Sequence, residues 1–143
     1  MSEILNVNNI RLHQHFADKN EAIAYAGNVL VENGYVTAEY IQSMLEREQD
    51  VSVYIGNHLA IPHGMPDSAP YIIKSGITVV QVAGGVRFGD DIAYIVIGIA
   101  GKQDTHIEIL EKIALVCMEE ENVEKMRRAT TKEEILAVLG DFS

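Results

Sequence analysis

Apolar residues recur at helical spacing in several stretches of this chain and run together or alternate in others. Between Asp18 and Glu32, the positions Ala22, Ile23, Ala26, Val29 and Leu30 trace one side of a helix. Asp18 or Asn20 supplies its N-cap, and Asn33-Gly34 ends it. Thr37-Ala38-Glu39-Tyr40 opens a second helix that carries Ile41, Met44 and Leu45 and fades after Glu48. The strongest helical stripe is Ile107, Leu110, Ile113, Ala114 and Cys117. Ahead of it, Thr105-His106-Ile107-Glu108 fits a capping box, with Asp104 as a rival cap. A short helix over 123–128 follows, and Thr131 caps a last one through Ile135, Leu136 and Leu139, stopped by Gly140.

The strand signals lie between these helices. Residues 4–12 alternate loosely and predict an initial strand or extended arm, and 51–55 and 58–61 predict two short strands. Residues 72–82 and 93–100 are rich in β-branched side chains. The second of these is nearly all apolar, which predicts a central place in the sheet. Residues 65–70 read as a loop, and 84–91, opened by Gly84-Gly85, read as the turn between the two long strands. Helices precede, interrupt and follow the strands, so the expected fold class is α/β: a mixed β-sheet flanked by helices, in one domain over 1–143.

Composition narrows the function. A chain of 143 residues with 48% hydrophobic content builds a core without disulfides or a structural metal. Its one cysteine, Cys117, sits in the helical stripe and reads as a small buried hydrophobe. A formal net charge of −10 argues against nucleic acid or an anionic membrane as partner and favours encounter with a basic protein surface. No apolar run is long enough to span a bilayer and no signal segment is present, which predicts a cytoplasmic protein without membrane insertion.

The most informative stretch is Leu59-Ala60-Ile61-Pro62-His63-Gly64. Leu59 and Ile61 can point into a core while the chain leaves the strand at Pro62. His63 is thereby delivered to a rim, and Gly64 permits close approach of another group. A rigidly held histidine suits reversible chemistry near neutral pH, although these residues alone more readily describe a polar side chain in a turn. His106, in the first turn of the strongest helix, meets unpaired N–H groups and a positive dipole end that favour anions and a neutral imidazole, and equally fits a plain surface residue of a helix start. Arg47, in Met44-Leu45-Glu46-Arg47-Glu48, offers a guanidinium fork for a phosphoryl group or, more plainly, a solvated ion pair with its glutamates. Gly101-Lys102 lacks both the leading glycine and the Ser/Thr of a nucleotide-binding loop, and no nucleophile elbow occurs. His13, His15, His58, His63 and His106 could in principle ligate a metal, but nothing in their spacing fixes a ligand set.

Taken together, the helix ending in Met-Leu-Glu-Arg-Glu, Tyr54-Ile55-Gly56-Asn57, the Pro-His-Gly element and the helix opening with His106 resemble a known domain. It is the enzyme IIA of the phosphoenolpyruvate-dependent sugar phosphotransferase system, of the mannitol/fructose type, and the match spans about residues 5–139. The resemblance implies the phosphotransferase/anion-transporter-like sandwich, with no cofactor and no metal. It implies that His63 accepts a phosphoryl group on Nε2 from the phosphocarrier HPr and passes it to a IIB domain, with Arg47 and His106 as its active-site partners. The segment from Arg47 to His63 is short and lacks the Gly-Ser/Thr-rich insert of fructose-type members, so it is more similar to mannitol-type sequences. A free-standing component serving a mannitol-type permease is expected. A fructose-type IIA and a nitrogen-type regulatory module are the alternatives, with a metal-binding or structural protein as a third.

Overall fold

The computed structural model describes residues 4–140 of the chain. After a 3₁₀ turn at Val7–Asn9, β1 spans Ile10–Gln14, α1 Lys19–Glu32 and α2 Glu39–Asp50. Two short strands follow, β2 at Tyr54–Gly56 and β3 at Leu59–Ala60, then a 3₁₀ turn at Pro66–Tyr71. The long hairpin of β4 (Gly76–Phe88) and β5 (Asp91–Ala100) precedes α3 (Asp104–Cys117), α4 (Glu120–Arg128) and α5 (Lys132–Leu139). The five strands form one sheet in the order β1-β4-β5-β3-β2, parallel at β1/β4 and β3/β5 and antiparallel at β4/β5 and β2/β3. The mixed sheet and the central place of β5 are as the sequence predicts. The initial arm becomes a 3₁₀ turn and a strand, and the 65–70 loop contains a 3₁₀ turn.

Both faces of the sheet are buried, and side-chain alternation divides them. Val80, Val82, Ala60 and Val96 meet Ile23, Ala26 and Leu30 of α1 and Tyr40 and Met44 of α2. Ile77, Val79, Leu59, Ile95, Ile97 and Ile99 meet Ile109 and Ile113 of α3, Met126 of α4 and Ile135 of α5. Asp18 caps α1 by accepting the Glu21 N–H, and Thr131 and Glu134 form a complete capping box on α5. Gly34 and Gly140 follow α1 and α5 at φ 82° and 77°, a conformation that glycine adopts without strain.

Three expectations are corrected. Gly84-Gly85 does not begin the turn, because β4 runs on to Phe88 and pairs Val86 with Ala93 and Phe88 with Asp91. The two glycines, at φ 80° and 79°, instead absorb a register shift between Gln81 and Val86, a bulge inside the hairpin. The capping box at 105–108 does not form: Gln103 occupies the N-cap of α3 at φ 51°, no side chain caps it, and Asp104 is already helical. A Cβ on Gly101 would collide with the His106 backbone, so the tight exit from β5 sets the start of α3 ahead of any capping preference. The stripe on α3 is also rotated. Ile109, Ile113 and Cys117 are buried, whereas Ile107 is 56% exposed and Ala114 is exposed as well.

Candidate functional site

Strand alternation aims His63. Leu59 and Ile61 lie on the α3 side of the sheet, so the same parity carries the His63 side chain toward the start of α3, and Gly64 toward α2. Pro62 is buried and its carbonyl still accepts the Ile99 N–H at 2.8 Å, after which the chain turns away. The half-buried imidazole turns its Nδ1 back on the Ile61 carbonyl at 2.7 Å. A carbonyl oxygen only accepts, which assigns the ring proton to Nδ1 and leaves the lone pair on Nε2.

His106 and Arg47 complete the constellation that the sequence singles out. The His63 and His106 rings lie 5.4 Å apart between centroids. Arg47, from the last turn of α2, lines the same cleft of about 520 Å³ together with Tyr40, Gly64 and Gln103. Its Nη1 donates to the Val51 carbonyl at 2.7 Å, and it pairs with neither flanking glutamate. Burial pushes the His63 pKa down, the nearby His106 and Arg47 push it further, and the Ile61 carbonyl opposes them. Burial likewise lowers His106. Both rings are therefore held in the neutral form near pH 7. The start of α3 is less open to anions than the sequence suggests, since the Thr105 and His106 N–H groups are turned onto the Lys102 and Gln103 carbonyls.

Sequence reasoning misses the residues that hold this arrangement. Tyr40 accepts the Gly64 N–H at 2.9 Å, Ser43 Oγ accepts the Met65 N–H at 2.8 Å, and Ser68 Oγ donates to the Met65 carbonyl at 2.6 Å. Gly64 is needed because a Cβ there would lie 2.5 Å from Ser68 Oγ and 2.6 Å from Tyr40 Cε1. Glu48 is buried rather than solvated, accepting the Val53 N–H at 2.7 Å and pairing with Lys19 at 3.1 Å. The signal was present in α2, where Tyr40, Ser43 and Arg47 carry polar tips at helical spacing on a single face. His13 and His15 are exposed, and His58 bonds the Ile92 carbonyl against Tyr94. Among the described residues no group of three or more His, Cys, Asp or Glu side chains could hold a metal ion, and no helix is long and apolar enough to cross a membrane.

The chain matches the family model described as phosphoenolpyruvate-dependent sugar phosphotransferase system, EIIA 2, over residues 3–141. It is 52% identical over 141 residues to the mannitol-specific phosphotransferase enzyme IIA component of Geobacillus stearothermophilus, covering 98% of this chain and 97% of that protein. The mannitol-specific enzyme IIA component of Bacillus subtilis is 42% identical over 142 residues, 99% of each chain. Among solved structures, IIA mannitol from Escherichia coli superposes with a TM-score of 0.89 at 39% identity, covering 95% of this chain and 99% of that one. A chain in the complex of enzyme IIAMtl with phosphorylated enzyme IIBMtl from Escherichia coli gives 0.90 at 38% identity, over 94% of this chain and 96% of that one.

Proposed function

Since this chain belongs to the EIIA 2 family of the phosphoenolpyruvate-dependent sugar phosphotransferase system, we propose that it is a phosphoryl carrier for mannitol, charged by HPr at His63 and discharged to a mannitol-type IIB domain. The observation that carries this reading is the contact of His63 Nδ1 with the Ile61 carbonyl, which leaves Nε2 as the nucleophile at the cleft. The Nε2 lone pair forms the new N–P bond as the bond from phosphorus to the donor breaks, and the donor keeps that electron pair. Nδ1 keeps its proton throughout, and the Ile61 carbonyl stabilises the positive charge the ring gains. The depressed His63 pKa keeps the free ring unprotonated and ready to attack.

Arg47 and His106 flank the incoming phosphoryl oxygens. Transfer of this kind is largely positioning and electrostatics, so a guanidinium fork and a neutral imidazole donor stabilise the transferring group without trapping it. Mannitol as the sugar is supported by the short Arg47-to-His63 segment and by the mannitol-specific names of the relatives. The acidic chain fits a basic donor surface. A cytoplasmic location agrees with a partnership of this kind.

Incubation with phosphoenolpyruvate, enzyme I and HPr tests the reading. The wild type should take up one acid-labile, base-stable phosphate and His63→Ala none, and normal labelling of that variant refutes the acceptor. The phosphorylated protein, offered IIB domains for mannitol and fructose in parallel, should discharge rapidly to the first and slowly to the second. Equal rates void the sugar assignment, and discharge to neither favours a regulatory module.

A further inference from the structure

The ladder between β3 and β5 stops one hydrogen bond short of where its register would carry it. Leu59 pairs with Ile95 and Ala60 with Val96, and the same offset sets His63 opposite Ile99. In a parallel ladder Ile99 would then bond through its N–H to the Pro62 carbonyl and through its carbonyl to the Gly64 N–H. The first bond exists, at 2.8 Å. In place of the second stands the Tyr40 hydroxyl, which accepts the Gly64 N–H at 2.9 Å and donates to the Ile99 carbonyl at 2.7 Å. Tyr40 is 1% exposed and its bond to the Ile99 carbonyl is buried, so water does not compete there. Burial raises its pKa to about 12, which keeps the phenol protonated and able to donate. One residue further on, Ser43 from the same face of α2 takes the Met65 N–H.

We infer that Tyr40 is a positioning residue for phosphoryl transfer: its hydroxyl, inserted into the β3–β5 ladder, holds the Gly64 end of the strand off the sheet and sets the His63 ring at the cleft. This rests on the reading of His63 as the phosphoryl acceptor. Without the hydroxyl, the buried Ile99 carbonyl and the half-buried Gly64 N–H lose their partner, and the least costly repair is direct closure of the ladder. Closure draws the His63–Gly64 peptide toward Ile99 and retracts the imidazole. A phenyl ring fills the same space, so packing alone is preserved.

Tyr40→Phe and the wild type are charged from phosphorylated HPr, and the same proteins, labelled with ¹⁵N, are observed by NMR. The expected single-turnover rate constant for uptake at saturating donor falls about 10- to 100-fold, the scale on which a displacement of about 1 Å acts, while the half-saturating donor concentration stays within about twofold. The Gly64 amide and His63 Nδ1 resonances should shift together. Wild-type uptake by a folded Tyr40→Phe protein, or slow uptake with both resonances unmoved, overturns the assignment. Where that variant fails to fold, replacement of Tyr40 by 3,5-difluorotyrosine keeps the shape and weakens the oxygen as an acceptor. Slower uptake with a shifted Gly64 amide then supports the inserted hydroxyl, and unchanged uptake overturns it. A His63→Ala control that still takes up phosphate voids the acceptor reading itself, and the Gly64 resonance in Tyr40→Phe still reports on the ladder.

Discussion

Replacing Glu48 tests the support beneath Arg47. Its carboxylate, with a side chain 2% exposed, accepts the Val53 N–H at 2.7 Å and the Lys19 ammonium at 3.1 Å. In Glu48→Ala the Val53 N–H loses a charged acceptor, and Val53 is itself 2% exposed, so water does not replace it. That loss costs about 1.5–3 kcal/mol. The Lys19 side chain is 37% exposed and re-solvates, so its share is at most about 1 kcal/mol. The expected destabilisation is about 2–4 kcal/mol, which lowers the urea midpoint by about 1–2 M at an m-value of about 2 kcal/mol/M. Glu48→Gln retains an oxygen for the Val53 N–H and should lose only about 1 kcal/mol. Val51 supplies the carbonyl that Arg47 grips, and Val53 anchors that turn, so Glu48→Ala should also slow phosphoryl uptake. Urea unfolding followed by circular dichroism measures the first effect, and uptake from phosphorylated HPr the second. A cost under about 0.5 kcal/mol for the alanine, or equal costs for both variants, refutes the argument.

Gly64→Ala should cost about 1–3 kcal/mol and slow phosphoryl uptake, because the new methyl meets Ser68 and the buried Tyr40 ring; unfolding and uptake assays that match the wild type contradict this. Arg47→Lys keeps the charge and a donor for Val51 but loses the planar fork, so transfer should slow while the melting temperature holds; wild-type kinetics would remove Arg47 from the site. His63 and His106 both have pKa values depressed in the folded state, so the unfolded chain binds more protons as the pH drops below about 6.5. Their contribution to stability is complete above that pH and is lost as the pH falls through the folded values. Urea midpoints between pH 7 and 5 should fall less steeply for His63→Ala than for the wild type, and parallel slopes would show that His63 is not held neutral by the fold.

What the sequence determined by itself was whatever is decided over a few neighbouring residues. Asp18, Thr131, Asn33 and Gly140 mark helix ends because caps are local chemistry, and the apolar run of β5 announces a strand buried on both faces. The Pro-His-Gly element displays His63 for the same reason: alternation, a proline and a glycine act within six positions. Arg47 and His106 were legible through their settings and through resemblance, and the structure brings both to the cleft with His63. Tertiary structure decided the rest. Gly84 and Gly85 read as a turn, yet cross-strand pairing beyond them made a bulge, since six opposed residue pairs before the register shift and three after it outweigh a local breaker. The capping box of α3 gave way to the close approach of Gly101 and His106. Glu48 looked like a solvated charge until Lys19 and the Val53 N–H, one 29 positions away, met it in the interior. Tyr40 could not be assigned to Ile99 from sequence, because a bond across 59 residues depends on how α2 lies against the sheet. Local preferences amount to about 1 kcal/mol each, and packing overrides them wherever a buried polar group would otherwise go unpaired.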